Sequence, residues 1–393
     1  MNFIVSMLFI FHEIIGGNFD LFYLLSAILI ILSFFKKQRI LMKSFKYFYL
    51  ILFYGLVQIL LSDDIVIYRL LINIIKIYLN IFLFIYIKEK LQIGTLSIKK
   101  IIYLISFTYL FLFLFSLVVK SPLLWRLNDL VNPYAPVRLR LFYFEPSELS
   151  FHSSLVVIFL VFYFIQSSLL KEKIINIILL LTNVLIILFS SALGGIVSLL
   201  LSLLLIALII KKNSYKRLLL TLLFLTLSIT TVILTIKSNN NLVLRINDIF
   251  NGSDGSFNYR FTVSFNVMKQ MLLDTNFLGV GFGNLNTDVI SSKYISFGLV
   301  DIIANSYMYF IAESGIFGII FILIFNAKLM LKVEKNYKLI AYPLLIFIIF
   351  YQIAGGYFTN PINWLVYGVI TNSGILLRNQ VRDNIKIIRN VIN

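Results

Sequence analysis

Unbroken apolar runs, most of them about twenty residues long, recur from one end of this chain to the other, and a run of that length crosses ~30 Å of hydrocarbon. They fall at approximately 2–16, 20–35, 46–62, 65–87, 101–119, 148–166, 174–190, 192–210, 218–236, 304–326, 339–355 and 361–377. Lipid offers the backbone no hydrogen bonds, so a spanning segment has to be a helix or part of a closed barrel, and runs this long select the helix. Composition agrees: 60% of the residues are hydrophobic and 13% charged, too little polar surface to cover a water-soluble core. The expected fold is all-α, a polytopic transmembrane helical bundle of about twelve spans, with residues 1–393 forming a single integral membrane domain. The first run is short and holds Glu13, but it lacks the basic start and small-residue cleavage site of a signal peptide, so it is read as a retained span.

The formal net charge of +17 takes its meaning from where the basic residues stand. Of the 34 Lys and Arg, 23 lie in the segments 36–46, 88–100, 171–173, 211–217, 328–338 and the tail from Arg378 to Arg389. The alternate short connections near 17–19, 62–64, 191–195 and 355–361 carry none. This alternation is the positive-inside pattern. It places both ends of the chain on the cytoplasmic side, and it accounts for the basic excess without nucleic acid as a partner. The chain has no cysteine and only two histidines, so disulfides and thiolate metal sites are excluded and a His-rich metal site is not expected.

Two outward connections break the rhythm of tight turns: 120–147, a first long extracytoplasmic loop, and 237–303, a second. Long loops carry function disproportionately. These two hold Arg126, Arg138, Arg140, Arg245 and Arg260. Guanidinium stays charged at any relevant pH and binds phosphate through paired hydrogen bonds; the plainer role for such arginines is anchoring at lipid headgroups. Around Arg138 and Arg140 the segment Val137–Phe144 alternates with bulky apolar residues, so an extended conformation puts both arginines on one side. Phe257–Phe265 is apolar enough to lie in the interface as an amphipathic helix.

At the mouth of the sixth span, Phe144-Glu145-Pro146-Ser147-Glu148 places Pro146 in a first helical turn and Glu145 at its cap. Glu145 is then either a simple helix cap or, beside Arg138 and Arg140, a base for an acceptor hydroxyl. Lys76, near the centre of the fourth span, costs about 3 kcal/mol if unpaired. It is expected to face the bundle interior, as a structural ion pair with a carboxylate such as Glu13 or as a substrate contact, while Arg69 on the same helical face lies nearer the outer end. His152 follows Glu148 by one turn; a satisfied polar residue and a substrate-binding group are both open for it, whereas His12 stands in no recognisable constellation. Leu278–Asn284 carries three glycines suited to a tight backbone turn, and Asn305, Glu313, Gly315 and Gly318 open the tenth span, where small residues permit close packing.

In the order and sidedness of three stretches the chain resembles the bacterial O-antigen polymerases, within the superfamily that also holds the O-antigen ligases. The stretches are Arg140–Ser147 with its Glu-Pro-Ser, Arg260 followed by Leu278–Gly283, and Asn305–Tyr307 through Ala312–Gly318. The resemblance implies a bundle like that of the C-type glycosyltransferases and an enzyme without metal or other cofactor. Its donor and acceptor would be polyprenyl-pyrophosphate-linked oligosaccharides, with membrane lipids and a chain-length regulator as further partners. It carries an essential role over to Arg138, Arg140 and Arg260; together with the residue readings above, catalysis is expected of Arg140, Glu145 and Arg260, and substrate binding of Arg138, Arg245, Lys76, His152 and Asn305. Where many relatives have Ser-Arg-Gly and ligases have His-Asn, this chain has Ser191-Ala192-Leu193-Gly194 and Ala304-Asn305, which weakens the ligase alternative. A flippase or transporter of lipid-linked sugar is the other alternative; intramembrane charges suit it, long loops and the lack of internal repeats do not.

Overall fold

A computed structural model describes residues 1–14, 20–36, 39–62, 64–127, 137–210, 245, 248–298, 303–331, 333, 338–355 and 358–372. The expected ninth span at 218–236 and the basic tail lie outside the described residues. The rest is mostly helical. In chain order the apolar helices are α1 (Asn2–Phe11), α2 (Leu21–Phe35), α3 (Arg39–Leu61), α4 (Ile67–Ile93), α5 (Ile98–Val118), α6 (Pro146–Gln166), α7 (Leu170–Ser190) and α8 (Leu193–Ile209). A short turn α9 (Gly255–Asn258) runs through a π-helical stretch, Tyr259–Val263, into α10 (Ser264–Asp274), followed by α11 (Asp288–Tyr294). The apolar helices α12 (Ser306–Leu331), α13 (Lys338–Ala354) and α14 (Pro361–Ile370) complete the set. Six of them (α3–α7 and α12) are long and apolar enough to cross a membrane, and five are shorter apolar helices. The architecture is that of a membrane-spanning helical protein.

Local chemistry sets the helix ends. Asp20 caps α2 by accepting from the Phe22 amide at 2.7 Å, Asn360 caps α14 by accepting from Ile362 at 2.9 Å, and Pro146 and Pro361 occupy first turns where a missing N–H costs nothing. Gly94 ends α4 in the left-handed conformation. α6 is the axial helix, buried on nearly every side against α5, α7, α8 and α13, while α4 packs between α2, α3 and α14. Outward faces of α2, α3, α5 and α7 expose Ile28, Ile31, Phe53, Leu60, Phe111, Leu114, Ile177 and Leu181. A girdle so apolar is stable only against lipid tails.

The first long loop pairs Trp125–Arg126 (β1) with Arg138–Leu139 (β2), antiparallel, Trp125 opposite Leu139. The strand stops there because Leu141 and Phe142 turn with positive φ (44° and 74°). Arg138 and Arg140 accordingly part company: Arg138 is buried and Arg140 is half-exposed. In the second loop the segment expected to be an amphipathic helix is helical. Phe257, Phe261 and Phe265 lie exposed at four-residue spacing, and α10 sets Val267, Met271 and Leu272 against Val280, Leu285 and Tyr294.

Candidate functional site

The N-terminal half of α4 presents Arg69, Asn73 and Lys76 on one face by helical spacing. Opposite them stand Glu13 and Asp20 from the α1–α2 corner, Tyr23 of α2, Tyr309 and Glu313 of α12, and Phe358–Pro361 from the α13–α14 corner. Together with Phe144, Gly283 and Asn286 these enclose a cavity of about 600 Å³. That is the size of a small-molecule site rather than a packing defect. It lies at the end of the bundle away from the lysine-bearing ends of α3, α4, α5 and α7, and it gathers two cations and three carboxylates.

Each wall is fastened by hydrogen bonds. Tyr23 and Asn80 both donate to the Thr359 carbonyl at 2.6 Å, tying α2 and α4 to the α13–α14 corner. The Lys76 ammonium lies 5.9 Å from the Tyr23 ring centroid, within reach of its negative face. Arg69 donates to the Asn286 carbonyl at 2.9 Å. Glu313 is buried, with Lys76, the Tyr309 hydroxyl and the Gly283 and Leu285 amides around it.

The glycine-rich stretch builds the floor. α12 is broken at Gly315 (φ 59°, ψ −142°), which frees backbone groups on both sides of the break. The loop supplies their partners: Val280 N–H donates to Ala312 O at 2.9 Å, Gly281 N–H to Glu313 O at 3.1 Å, and Ile316 N–H to Phe277 O at 2.8 Å. Gln58 of α3 donates to both Leu278 O (2.8 Å) and Glu313 O (2.9 Å), and Tyr54 donates to Leu278 O and Ser314 O. Irregular backbone at membrane depth is tolerated only when satisfied inside the protein in this way. Gly283 presses against α4, where a Cβ would collide with the Asn73 side chain and come within 2.8 Å of Arg69 O.

Beside the cavity wall a second polar cluster joins α1 to α6. His12 Nδ1 lies 3.0 Å from Asp20 Oδ2, and His12 Nε2 lies 3.6 Å from Glu148 Oε1. His152 packs its ring against those of Phe9 and Tyr143, both at 5.0 Å, and against His12 at 5.7 Å. Glu13 lies against Glu148 and accepts a hydrogen bond from the Phe144 amide at 3.1 Å. Of this cluster the sequence singles out His152, one turn after Glu148 on α6, and names Glu13 only as a partner for Lys76. His12 comes from a helix 140 positions away, and nothing in the chain's local pattern joins the two.

The remaining sequence-derived residues take up three other positions. Arg138 donates to Ser190 O at 3.1 Å, stitching the first loop to the end of α7. Arg140 donates to Pro122 O at 2.8 Å, and Glu145 forms an ion pair with Arg126. Arg245 pairs with Asp254 at 3.1 Å, and Arg260 donates to Ser256 Oγ at 2.6 Å, with its Nε facing Gly355 of the α13–α14 corner. Burial pushes the Arg260 guanidinium below its ordinary value, and the nearby Arg245 charge adds to this. Asn305 is the cap of α12, accepting from the Met308 amide at 3.3 Å. Of the expected residues, Lys76 alone lines the cavity. Phe144, next to Glu145, and Phe358–Pro361, following the corner that Arg260 faces, bring the other two groups to its edge by chain continuity. Comparison with protein-family models, with curated proteins and with solved structures finds no match.

Proposed function

We propose that this chain is a glycosyltransferase of the bacterial cytoplasmic membrane, crossing it about twelve times with both ends inside. It transfers a growing glycan from its polyprenyl-pyrophosphate carrier onto a new lipid-linked repeat unit at the outer face, as O-antigen polymerases do. The observation that carries the reading is the cavity in which Arg69 and Lys76 meet Glu13, Asp20 and Glu313. Cations for a pyrophosphate and carboxylates for a hydroxyl are the two needs of such a transfer, and the lysine-poor end of the bundle is the outer one by the positive-inside rule.

In this reaction an acceptor hydroxyl oxygen attacks the anomeric carbon of the donor. The bond from that carbon to the pyrophosphate oxygen breaks, and the polyprenyl pyrophosphate leaves with the electron pair. Lys76 and Arg69 neutralise the charge that grows on the leaving group, an effect worth on the order of 3 kcal/mol per donor. A cavity carboxylate takes the hydroxyl proton. Arg140, beside the loop that ends at Phe144, and Arg260, beside the α13–α14 corner, attract the anionic lipid head toward the cavity, and Glu145 holds Arg126 in place. Because the pyrophosphate already activates the sugar, no nucleotide is required.

A deletion strain examined by gel electrophoresis of its surface lipopolysaccharide tests the reading. The deletion leaves core plus a single repeat, and complementation with Lys76→Ala or Glu313→Gln fails to restore the ladder although the variants are expressed and membrane-inserted. Full-length polymer from both variants would exclude the cavity as the site. Bare core after deletion would point to a ligase instead. The broken helix α12 favours a transporter as the second reading, since discontinuous helices are where transporters hold substrates. Lipid-linked units accumulating on the cytoplasmic face after deletion would establish that one.

A further inference from the structure

We infer that His12, Glu148 and His152 form a binding site for a first-row divalent cation, with zinc the best match to the donor set. One ligand atom from each residue lies within 4.8 Å of the others. His12 and His152 are almost completely buried. The tautomer of His12 follows from its neighbour: Nδ1, 3.0 Å from Asp20 Oδ2, carries the proton that the carboxylate accepts. Nε2 is then a lone pair. It is directed at Glu148 Oε1, 3.6 Å away, which is also an acceptor. Two acceptors facing each other in a buried space call for a cation or a proton between them.

His152 adds the third donor. Among the described residues neither of its ring nitrogens has a hydrogen-bond partner, although its side chain is enclosed by Phe9, Tyr143 and Tyr351. The hydroxyl of Tyr143, whose ring packs on His152, is already engaged: Tyr109 and Tyr143 bond each other at 2.6 Å, and Tyr143 donates to Phe9 O at 2.7 Å. Glu13, which lies against Glu148, adds a second carboxylate to the same spot, and two touching carboxylates need a proton or a cation between them. Two imidazoles and a glutamate are the ligand set of open zinc sites, with bonds of about 2.0–2.2 Å. An ion drawing the three atoms to roughly 3.4 Å separations in such a tetrahedron leaves the fourth position for Glu13 or a ligand. Asp20 behind His12 is the outer-shell carboxylate that fixes ring orientation and raises ligand basicity. Magnesium and calcium, which prefer all-oxygen shells, do not suit this set.

The site stands on its own geometry and does not depend on the proposed transfer reaction. Its test uses the full chain purified in detergent micelles, stripped with chelator and titrated with zinc against a chromophoric competitor. The expected result is one equivalent bound. His12→Ala and His152→Ala each weaken binding by about a hundredfold or more, and Asp20→Asn weakens it by about tenfold to a hundredfold. Because a variant could fail to fold, the wild-type chain is also loaded with cobalt(II), whose visible absorption reads mixed nitrogen–oxygen coordination without mutation. No stoichiometric zinc in the wild-type chain, or zinc binding unchanged in both histidine variants, would overturn the inference. So would a cobalt spectrum of the hexaaquo ion. Loss of zinc binding in a His12→Ala variant that still makes polymer would separate the metal site from the transferase reading.

Discussion

At the scale of single residues, Gln58 shows how one buried side chain holds the cavity floor. It is fully buried, donates to the Leu278 and Glu313 carbonyls, and accepts from the Phe282 amide at 3.4 Å. Gln58→Leu keeps the bulk but takes one of two donors from each carbonyl, with Tyr54 still donating to Leu278 O and the Gly281 amide to Glu313 O, and it leaves the buried Phe282 amide without its acceptor. A loss of about 3 kcal/mol is expected, read as a lowered midpoint of thermal unfolding in detergent; an unchanged midpoint would mean that Tyr54 alone suffices to hold the loop. Other residue-level features were partly legible in the sequence. An unpaired lysine at the centre of a span has to face inward, which is why Lys76 was placed in the interior before its partners were known. Alternation along Val137–Phe144 put Arg138 and Arg140 on one side, but it could not foresee that the chain turns at Leu141 and Phe142, with Arg138 buried against α7 and Arg140 held on the loop.

At the scale of elements, α12 is the one whose behaviour the hydropathy pattern hid. Glycines at 315 and 318 read as small residues for close helix packing, and at Gly318 that reading fits a regular helical turn. Gly315 instead sits at φ 59°, ψ −142°, close to a region only glycine populates. A break and a packing notch use the same residue, and sequence alone does not separate them; the loop that fills the break is far away in the chain. Gly315→Ala should therefore cost about 3 kcal/mol or more, because its Cβ would meet Leu278 O at 2.6 Å, backbone that cannot move aside. Gly318→Ala should cost less: its Cβ would meet the Ser314 hydroxyl, which can rotate, with the rest of that side chain at 3.2 Å and Phe310 at 3.4 Å. Thermal unfolding of the two variants side by side decides the matter, and equal losses would contradict a glycine-specific break. The α1–α6 cluster was illegible for the same reason. His12 and His152 share no local pattern, and only the packing of two helices makes them neighbours.

At the scale of the whole molecule, the charge pattern predicts the orientation, and the side of the membrane proposed for the cavity depends on it. The chain contains no cysteine, so single cysteines can be introduced without removing any. Thr95, exposed in the connection between α4 and α5, belongs to a lysine-rich end and should face the cytoplasm. Ser253, exposed in the second long loop, should face outward. In spheroplasts a membrane-impermeant maleimide is expected to label Ser253→Cys directly and Thr95→Cys only after permeabilisation. The two positions report opposite ends of the bundle, so they cannot both be mistaken in the same direction. The converse pattern would turn the bundle over and put the Arg69–Lys76 cavity at the cytoplasmic face. A transferase using lipid-linked sugars after their passage across the membrane would then be untenable, whatever the chemistry of the cavity. The expected pattern leaves that cavity on the side where the proposed pyrophosphate-lipid substrate would arrive, with Arg69 and Lys76 on α4 facing Glu13, Asp20 and Glu313 across the gap.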